Sequence, residues 1–312
     1  MSRKNGQTRR ARLETERKQR QARTQKDARG RLHLALHRDP ESGHEHLILE
    51  RAVFQEPWQN EIAAATANTA HGLLQGEPTL DRTLALARNV MAATSRLAEG
   101  FLSHAPAGAV ACKAGCDHCC YQVVGVTAPE ALAIAAHLKA TLSPEELAKV
   151  TAHIAERQLQ TRGLSSNERF SPDHPCAFLQ AGRCSIYEVR PLSCRGMNSL
   201  DANECAKRLR EPEARAEFLA KGLGGHSFLE PIRAFHAVSA GLQLSLSEVY
   251  QLDMQPLELT AALHLLLTGP ESIARDWLDG QSSFRDARGG DSSNDPGIRE
   301  LSGTVTLGAT RS

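Results

Sequence analysis

The sequence predicts a mainly α-helical protein with little β structure and one cysteine-rich, loop-dominated metal-binding module. Three observations predict this. Apolar side chains recur at a period near 3.6 over much of the chain. Capping signals such as Thr127-Ala-Pro-Glu130 and Ser143-Pro-Glu-Glu146 open two of those segments. All eight cysteines fall within the stretch Cys112–Cys205. The alternation of strands and helices that would build a parallel sheet or barrel is not in the pattern.

The elements follow in order. Residues 59–75 are Ala-rich and stop near Gly76 and Pro78. A longer helix is expected over about 80–104, where Leu84, Ala87, Val90, Met91, Leu97, Ala98 and Phe101 share a face. YQVVGV, following the first cysteines, is the one convincing strand candidate nearby. The Thr127 capping box then opens a helix with Ala131, Ile134, Ala135 and Leu138 on one side, and Ser143 opens a second with Leu147, Val150 and Ile154. The two are expected to form a hairpin that returns the chain to the first cysteines. Downstream, Ile232, Phe235, Val238 and Leu242 mark another amphipathic helix. LELTAALHLLL, closed by Gly269-Pro270, and SIARDWL are two more.

The expected organisation is a basic disordered tail (1–30), N-terminal helices (31–108), a cysteine-cluster metal-binding domain (109–210), C-terminal helices packing on it (211–279) and a Gly/Ser/Asp-rich disordered tail (280–312). Residues 1–31 hold twelve Lys/Arg against three acids, while the whole chain carries a net charge of only +1. Such a tail attracts phosphate, so a nucleic-acid contact is conceivable. It lacks the aromatics that stack on bases, and a solvated arm is the favoured reading. The N-terminus has no apolar run and no window has the length of a membrane span, so no membrane insertion and a cytoplasmic location are expected. Protein partners leave no signature.

In a reducing compartment, clustered thiols point to metal rather than to disulfides. CKAGCDHCC gathers Cys112, Cys116, Cys119 and Cys120. Cys116-x-x-Cys119 is a chelating knuckle whose spacing lets both thiolates reach one ion. Adjacent side chains diverge, so Cys119 and Cys120 do not easily bind the same ion; either one is spare or the pair serves two centres. Cys176, Cys184 and Cys194 are too far apart to chelate locally and must fold back onto the first group, across the 55 residues between Cys120 and Cys176. Cys205 is a possible eighth ligand. Thiolates favour nearby cations: Arg190 and Arg195 are the candidates to support the ligands, ahead of Lys113 and Arg183. His118 and His174 are candidate nitrogen ligands. The donor set suits zinc or iron equally, the latter also as an Fe–S cluster.

CKAGCDHCC followed by PCAFLQAGRCSIYEVRPLSCR resembles the CxxCxxCC family of zinc- or iron-chelating, YkgJ-like cysteine-cluster proteins. The resemblance rests on Cys116, Cys119, Cys120, Cys176, Phe178, Leu179, Gly182, Cys184, Ile186, Tyr187, Arg190, Pro191, Cys194 and Arg195. It covers about residues 110–200. It departs from the family name at its first spacing, C-x3-C, and leaves Cys205 outside the pattern. It implies a metal-binding protein. A related cysteine domain in flagellin lysine-N-methylases supplies, by analogy, the alternative of an iron–sulfur-dependent enzyme of protein-methyltransferase type. C-x3-C-x2-C is also the cluster motif of radical S-adenosylmethionine enzymes, but His118 stands where those carry an aromatic, and no strand–helix series follows. No GxSxG, HExxH, P-loop or GxGxxG motif is present, so no catalytic residue is assigned.

Overall fold

The computed structural model describes residues 33–221 and 226–288. The basic tail and residues 289–312 lie outside them. The described chain is mainly α, with three two-stranded antiparallel pairs.

The first element corrects the expectation of helices throughout 31–108. Strands β1 (Leu34–Arg38) and β2 (Glu45–Leu49) form a hairpin that pairs Leu34 with Leu49 and Arg38 with Glu45. Asp39 starts its turn by accepting the backbone N–H groups of Glu41 (3.0 Å) and Ser42 (2.7 Å). Leu34 and Leu47 are its buried residues. They pack with Ala67 and Leu244, and the Asn68 amide pairs with both backbone groups of Leu47 at 2.8 Å.

Helix α1 (Pro57–Leu74) begins on proline, whose missing N–H costs nothing there, and ends at Gln75 and Gly76 in left-handed conformations. Helix α2 (Leu80–Ser103) is capped by Thr79 and buries Leu86, Ala87, Val90, Met91 and Ala98. After the first cysteines comes β3 (Gly125–Val126), within the expected strand segment. Helix α3 (Ala128–Thr141) is buried on all sides over its first eight residues, whereas α4 (Pro144–Thr161) buries only Ile154. These two do not form the expected hairpin.

The short α5 (Ser166–Arg169) leads to the hairpin β4 (Leu179–Gln180) and β5 (Arg183–Cys184), followed by α6 (Leu192–Gly196), α7 (Ala202–Arg210) and α8 (Pro212–Lys221). Helix α9 (Leu229–Leu244) buries Ile232, Phe235, Val238 and Leu242 as its periodicity requires, and continues into a π-helical turn, Ser245–Val249. Strand β6 (Leu257–Glu258) pairs with β3, and α10 (Leu259–Thr268) and α11 (Ile273–Leu278) follow.

Helices from the two ends of the chain pack together. Helix α9 lies on both α1 and α2, and α10 receives both α3 and α4. The α1–α9 approach depends on Gly241, where any Cβ would collide with the Ala63 carbonyl oxygen. Trp277, fully buried, donates its indole N–H to the Asp253 carbonyl at 2.7 Å.

Residues 280–288, expected to belong to the disordered tail, are instead part of the fold. Phe284 (2% exposed) and Ala287 (0%) belong to the core, and Arg288 pairs with Asp253. Composition misled here because a Gly/Ser-rich run needs only one large apolar side chain to dock. Among the described residues, no helix is long and apolar enough to cross a membrane.

Candidate metal centre

The first cysteine group is a chain of turns. Cys112 leaves an extended segment anchored by the Ala111 N–H to the Ser199 carbonyl (2.8 Å), and its Sγ accepts the Ser199 N–H at 3.2 Å. Gly115, at φ +85°, permits the turn that brings the Cys116 N–H to the Lys113 carbonyl. A 3₁₀ turn, His118–Tyr121, then carries Cys119 and Cys120. At three residues per turn, consecutive side chains point about 120° apart, so this vicinal pair must face two environments.

The second group is assembled from three small supports. Cys176 is tied to the first group directly, its N–H donating to the Cys120 carbonyl at 2.7 Å. Cys184 sits on β5 opposite Leu179, across a two-residue turn in which Ala181 (φ +49°) and Gly182 (φ +74°) both take left-handed conformations. Cys194 lies on α6, one turn of helix where the sequence suggests loop. That helix is held from two sides. Gly196 lets it approach α9 so closely that a Cβ would stand 2.9 Å from the Phe235 Cβ. Glu130 holds its start: one carboxylate oxygen accepts the Thr127 N–H (2.9 Å) and hydroxyl (2.7 Å), closing the capping box of α3. The other accepts the Leu192 N–H at 2.7 Å. Glu130 is buried, and the desolvation raises its pKa in spite of those donors.

All eight cysteines are free thiols. Cys112, Cys116, Cys119 and Cys205 line a pocket open to solvent, together with His118, Phe170, Phe218 and Arg208. Cys112 and Cys119 keep solvent-exposed surface because the pocket is their open side. Cys176, Cys184 and Cys194 instead pack against the hydrophobic core. The two groups meet at the vicinal pair, whose mutual interaction pushes the ionisation of Cys120 far up and lowers that of Cys119. Burial raises Cys112 and Cys176 to about 11 and lifts Cys184, Cys194 and Cys205 as well. Such thiols give up their protons only to a cation that replaces them.

Among the described residues, no three Cys, His, Asp or Glu side chains already surround one point closely enough to hold an ion. Ligation therefore requires the thiols to turn inward. The donor chemistry fits zinc or iron: soft thiols, converging from distant segments, with cations beside them.

Of the expected supporting arginines, Arg190 stacks its guanidinium 4.2 Å from the Tyr187 ring, near enough to Cys119, Cys184 and Cys194 to favour their thiolates. Its Nε is buried with no hydrogen-bond partner. Arg195 is a clamp: it donates to the carbonyls of Arg190 (2.9 Å) and Glu188 (2.6 Å) and to the Ser95 hydroxyl (2.6 Å), fastening the Cys194 segment to α2. His118 borders the pocket. His174 has a buried Nδ1 without a partner, and its carbonyl accepts from Arg169. Lys113 is exposed, and Arg183 lies on β5 beside Cys184.

Arg169 and Arg208, 4% and 8% exposed, were not singled out in the sequence. Arg169 favours the Cys176 thiolate and Arg208 that of Cys205. Only the Ser165–Glu168 capping box, which positions Arg169 at the end of α5, could have drawn attention to one of them.

Residues 111–212, about a third of the chain, match the CxxCxxCC family, described as "Putative zinc- or iron-chelating domain". The matched span runs past Cys205. A search of the curated proteins finds no match, and neither does a search of the solved structures.

Proposed function

With residues 111–212 matched to a zinc- or iron-chelating domain, we propose that this protein binds zinc or iron through the thiolates of Cys112, Cys116, Cys119, Cys120, Cys176, Cys184, Cys194 and Cys205. The observation that carries the reading is the hydrogen bond from the Cys176 N–H to the Cys120 carbonyl, which joins the two cysteine groups across 55 intervening residues. Convergence over that separation requires the whole α3–α5 excursion to be folded, a large commitment for thiols without a shared task. When bound, the metal supplies a doubly or triply charged centre that stabilises buried thiolates. The protein supplies the arrangement: Arg190 offsets their charge, Arg195 and Glu130 fix the Cys194 helix, and Ser199 orients Cys112 through its Sγ.

Anaerobic purification followed by metal and acid-labile sulfide analysis tests this. A colourless protein containing zinc supports a structural or sensing role, and a brown one containing sulfide supports an Fe–S cluster. Protein free of both, and unable to bind either metal on reconstitution, refutes the reading. The pocket beside Cys112, Cys116, Cys119 and Cys205 favours one second reading, an iron–sulfur-dependent reaction on a small molecule admitted there. Turnover would then have to accompany the cluster.

A further inference from the structure

We infer that the eight thiols form two separate four-thiolate centres: an outer one of Cys112, Cys116, Cys119 and Cys205 that exchanges its metal, and an inner one of Cys120, Cys176, Cys184 and Cys194 that holds its metal as part of the fold. The inference rests on the chelating reading and deepens it.

The division follows from what each thiol touches. The four outer cysteines are the ones that line the solvent-open pocket. Three inner ones lie against the hydrophobic core, and the fourth, Cys120, is joined to them by the Cys176 N–H hydrogen bond. The charge environments divide along nearly the same line. Cys112 is influenced by Cys116, Cys119 and Cys205, and Cys120 by Cys119, Cys176 and Cys194. Cys119 borders both sets, since it also acts on Cys184 and Cys194. Its place in the pocket wall assigns it to the outer set, and the divergence of consecutive side chains on the 3₁₀ turn sends Cys120 to the other. Four thiolates complete the coordination of one zinc or iron centre, so a four-and-four division leaves no ligand over.

Each set also has its own cations. Arg208, stacked 4.4 Å from the Phe218 ring, stands beside Cys205. Arg190 acts on Cys184 and Cys194, and Arg169 on Cys176. Four thiolates on a divalent ion leave a net charge of −2, and two such centres joined at a vicinal pair would repel strongly without separate compensation. Exchange differs because access differs. A competing chelator reaches the outer thiols through the pocket, whereas at the inner ones it must displace core packing.

The experiment uses the full-length protein, reduced anaerobically and reconstituted with Zn²⁺, then challenged with a chromophoric chelator. Two equivalents of zinc per chain are expected, one released at least tenfold faster than the other. Cys112→Ser and Cys205→Ser should each lose the fast equivalent and keep the slow one. Cys176→Ser should lose the slow one. Should that variant fail to fold, Co²⁺ substitution of Cys205→Ser supplies the same discrimination: the remaining ion should show the intense absorption of tetrahedral tetrathiolate cobalt. One equivalent per chain, or two released at a single rate, overturns the division. So does loss of both equivalents from an outer variant, which would indicate one fused cluster. If wild-type protein binds no zinc, cobalt or iron at all, the chelating reading itself fails, a result distinct from the others.

Discussion

The two walls of the cysteine site are built differently. The outer wall consists of loops and one helix: Cys112 follows a loop tied to Ser199, Cys116 a glycine turn, and Cys205 lies on α7, a helix whose buried residues are Arg208 and Leu209. The inner wall leans on the core through Leu192, Ile186 and Phe178, all at most 2% exposed. The same side chain therefore does different work in the two places. On the proposed division, a thiol on the outer wall would be a ligand and little else, while one on the inner wall is also packed against the core. Metal release should be separable from unfolding on one side and inseparable from it on the other.

The largest effect should come from Cys176→Ser in metal-loaded protein. Binding energy at a core-backed site is folding energy, so the loss of unfolding free energy should reach about 4 kcal/mol or more. Cys205→Ser should cost within about 1 kcal/mol. Chemical denaturation of both variants checks the contrast, and equal costs would erase the distinction between the walls.

Next comes Glu130→Ala, which strips hydrogen-bond acceptors from the Leu192 and Thr127 N–H groups. Buried donors left unpaired beside a lost carboxylate cost about 3 kcal/mol. The expected loss should be accompanied by a slow-release equivalent that becomes fast, with the outer wall unaffected. The pH dependence sharpens this. Burial raises the Glu130 pKa, so the fold favours its protonated form. Its contribution to stability is greatest below the ordinary carboxylate range and declines as pH rises through the elevated folded value. Wild type should therefore lose stability relative to Glu130→Gln as pH increases over that window. A difference that is flat with pH would show that the carboxyl group is ionised as readily in the fold as outside it.

A truncation tests the core behind the inner wall. Ending the chain after residue 280 instead of after 288 removes Phe284 and Ala287 from the cluster that also receives Cys176, Cys184 and Cys194. The shorter protein should be less stable by about 3 kcal/mol, measured by thermal or denaturant unfolding. Indistinguishable stabilities would mean that these contacts contribute nothing.

The smallest effect is a gain. Ala181 occupies a left-handed conformation in the turn that carries Cys184. Ala181→Gly should stabilise the protein by about 0.5–1 kcal/mol without changing metal content. A loss of stability would show that the alanine methyl group makes a contact worth more than the backbone strain.

What the sequence made legible was mostly local. The period along α2, the capping box at Thr127 and the burial of Phe235 and Val238 depend on neighbours a few residues away, and those elements lie where expected. The eight cysteines were legible as candidate ligands because they cluster in sequence. Their arrangement in space was not. Which way Cys119 and Cys120 face depends on a 3₁₀ turn and on a partner 56 positions from Cys120. The β1–β2 hairpin escaped notice for a similar reason: each strand has one buried apolar position, and its docking depends on Asn68 and Leu244, far along the chain. Glu130 was visible as a cap, but its second bond, to Leu192, spans 62 positions and leaves no local trace. The residues around 284 look like tail because their partner is a distant helix.

The joint between Cys120 and Cys176 also has a consequence for how the protein is made. The ribosome delivers CKAGCDHCC first, and the chain must grow to Cys205, 85 residues beyond Cys120, before the last thiol exists. At ~5–20 residues per second, that interval is roughly 4–17 s. Until Cys176 is added, the four thiols of the first group ride on the nascent chain without any of the second. They are able to capture a stray ion in an incomplete shell or to oxidise with one another. On the proposed reading, loading would be a matter of timing as well as affinity: metal that arrives after the last cysteine would find both walls present, and metal that arrives early would find only the knuckle.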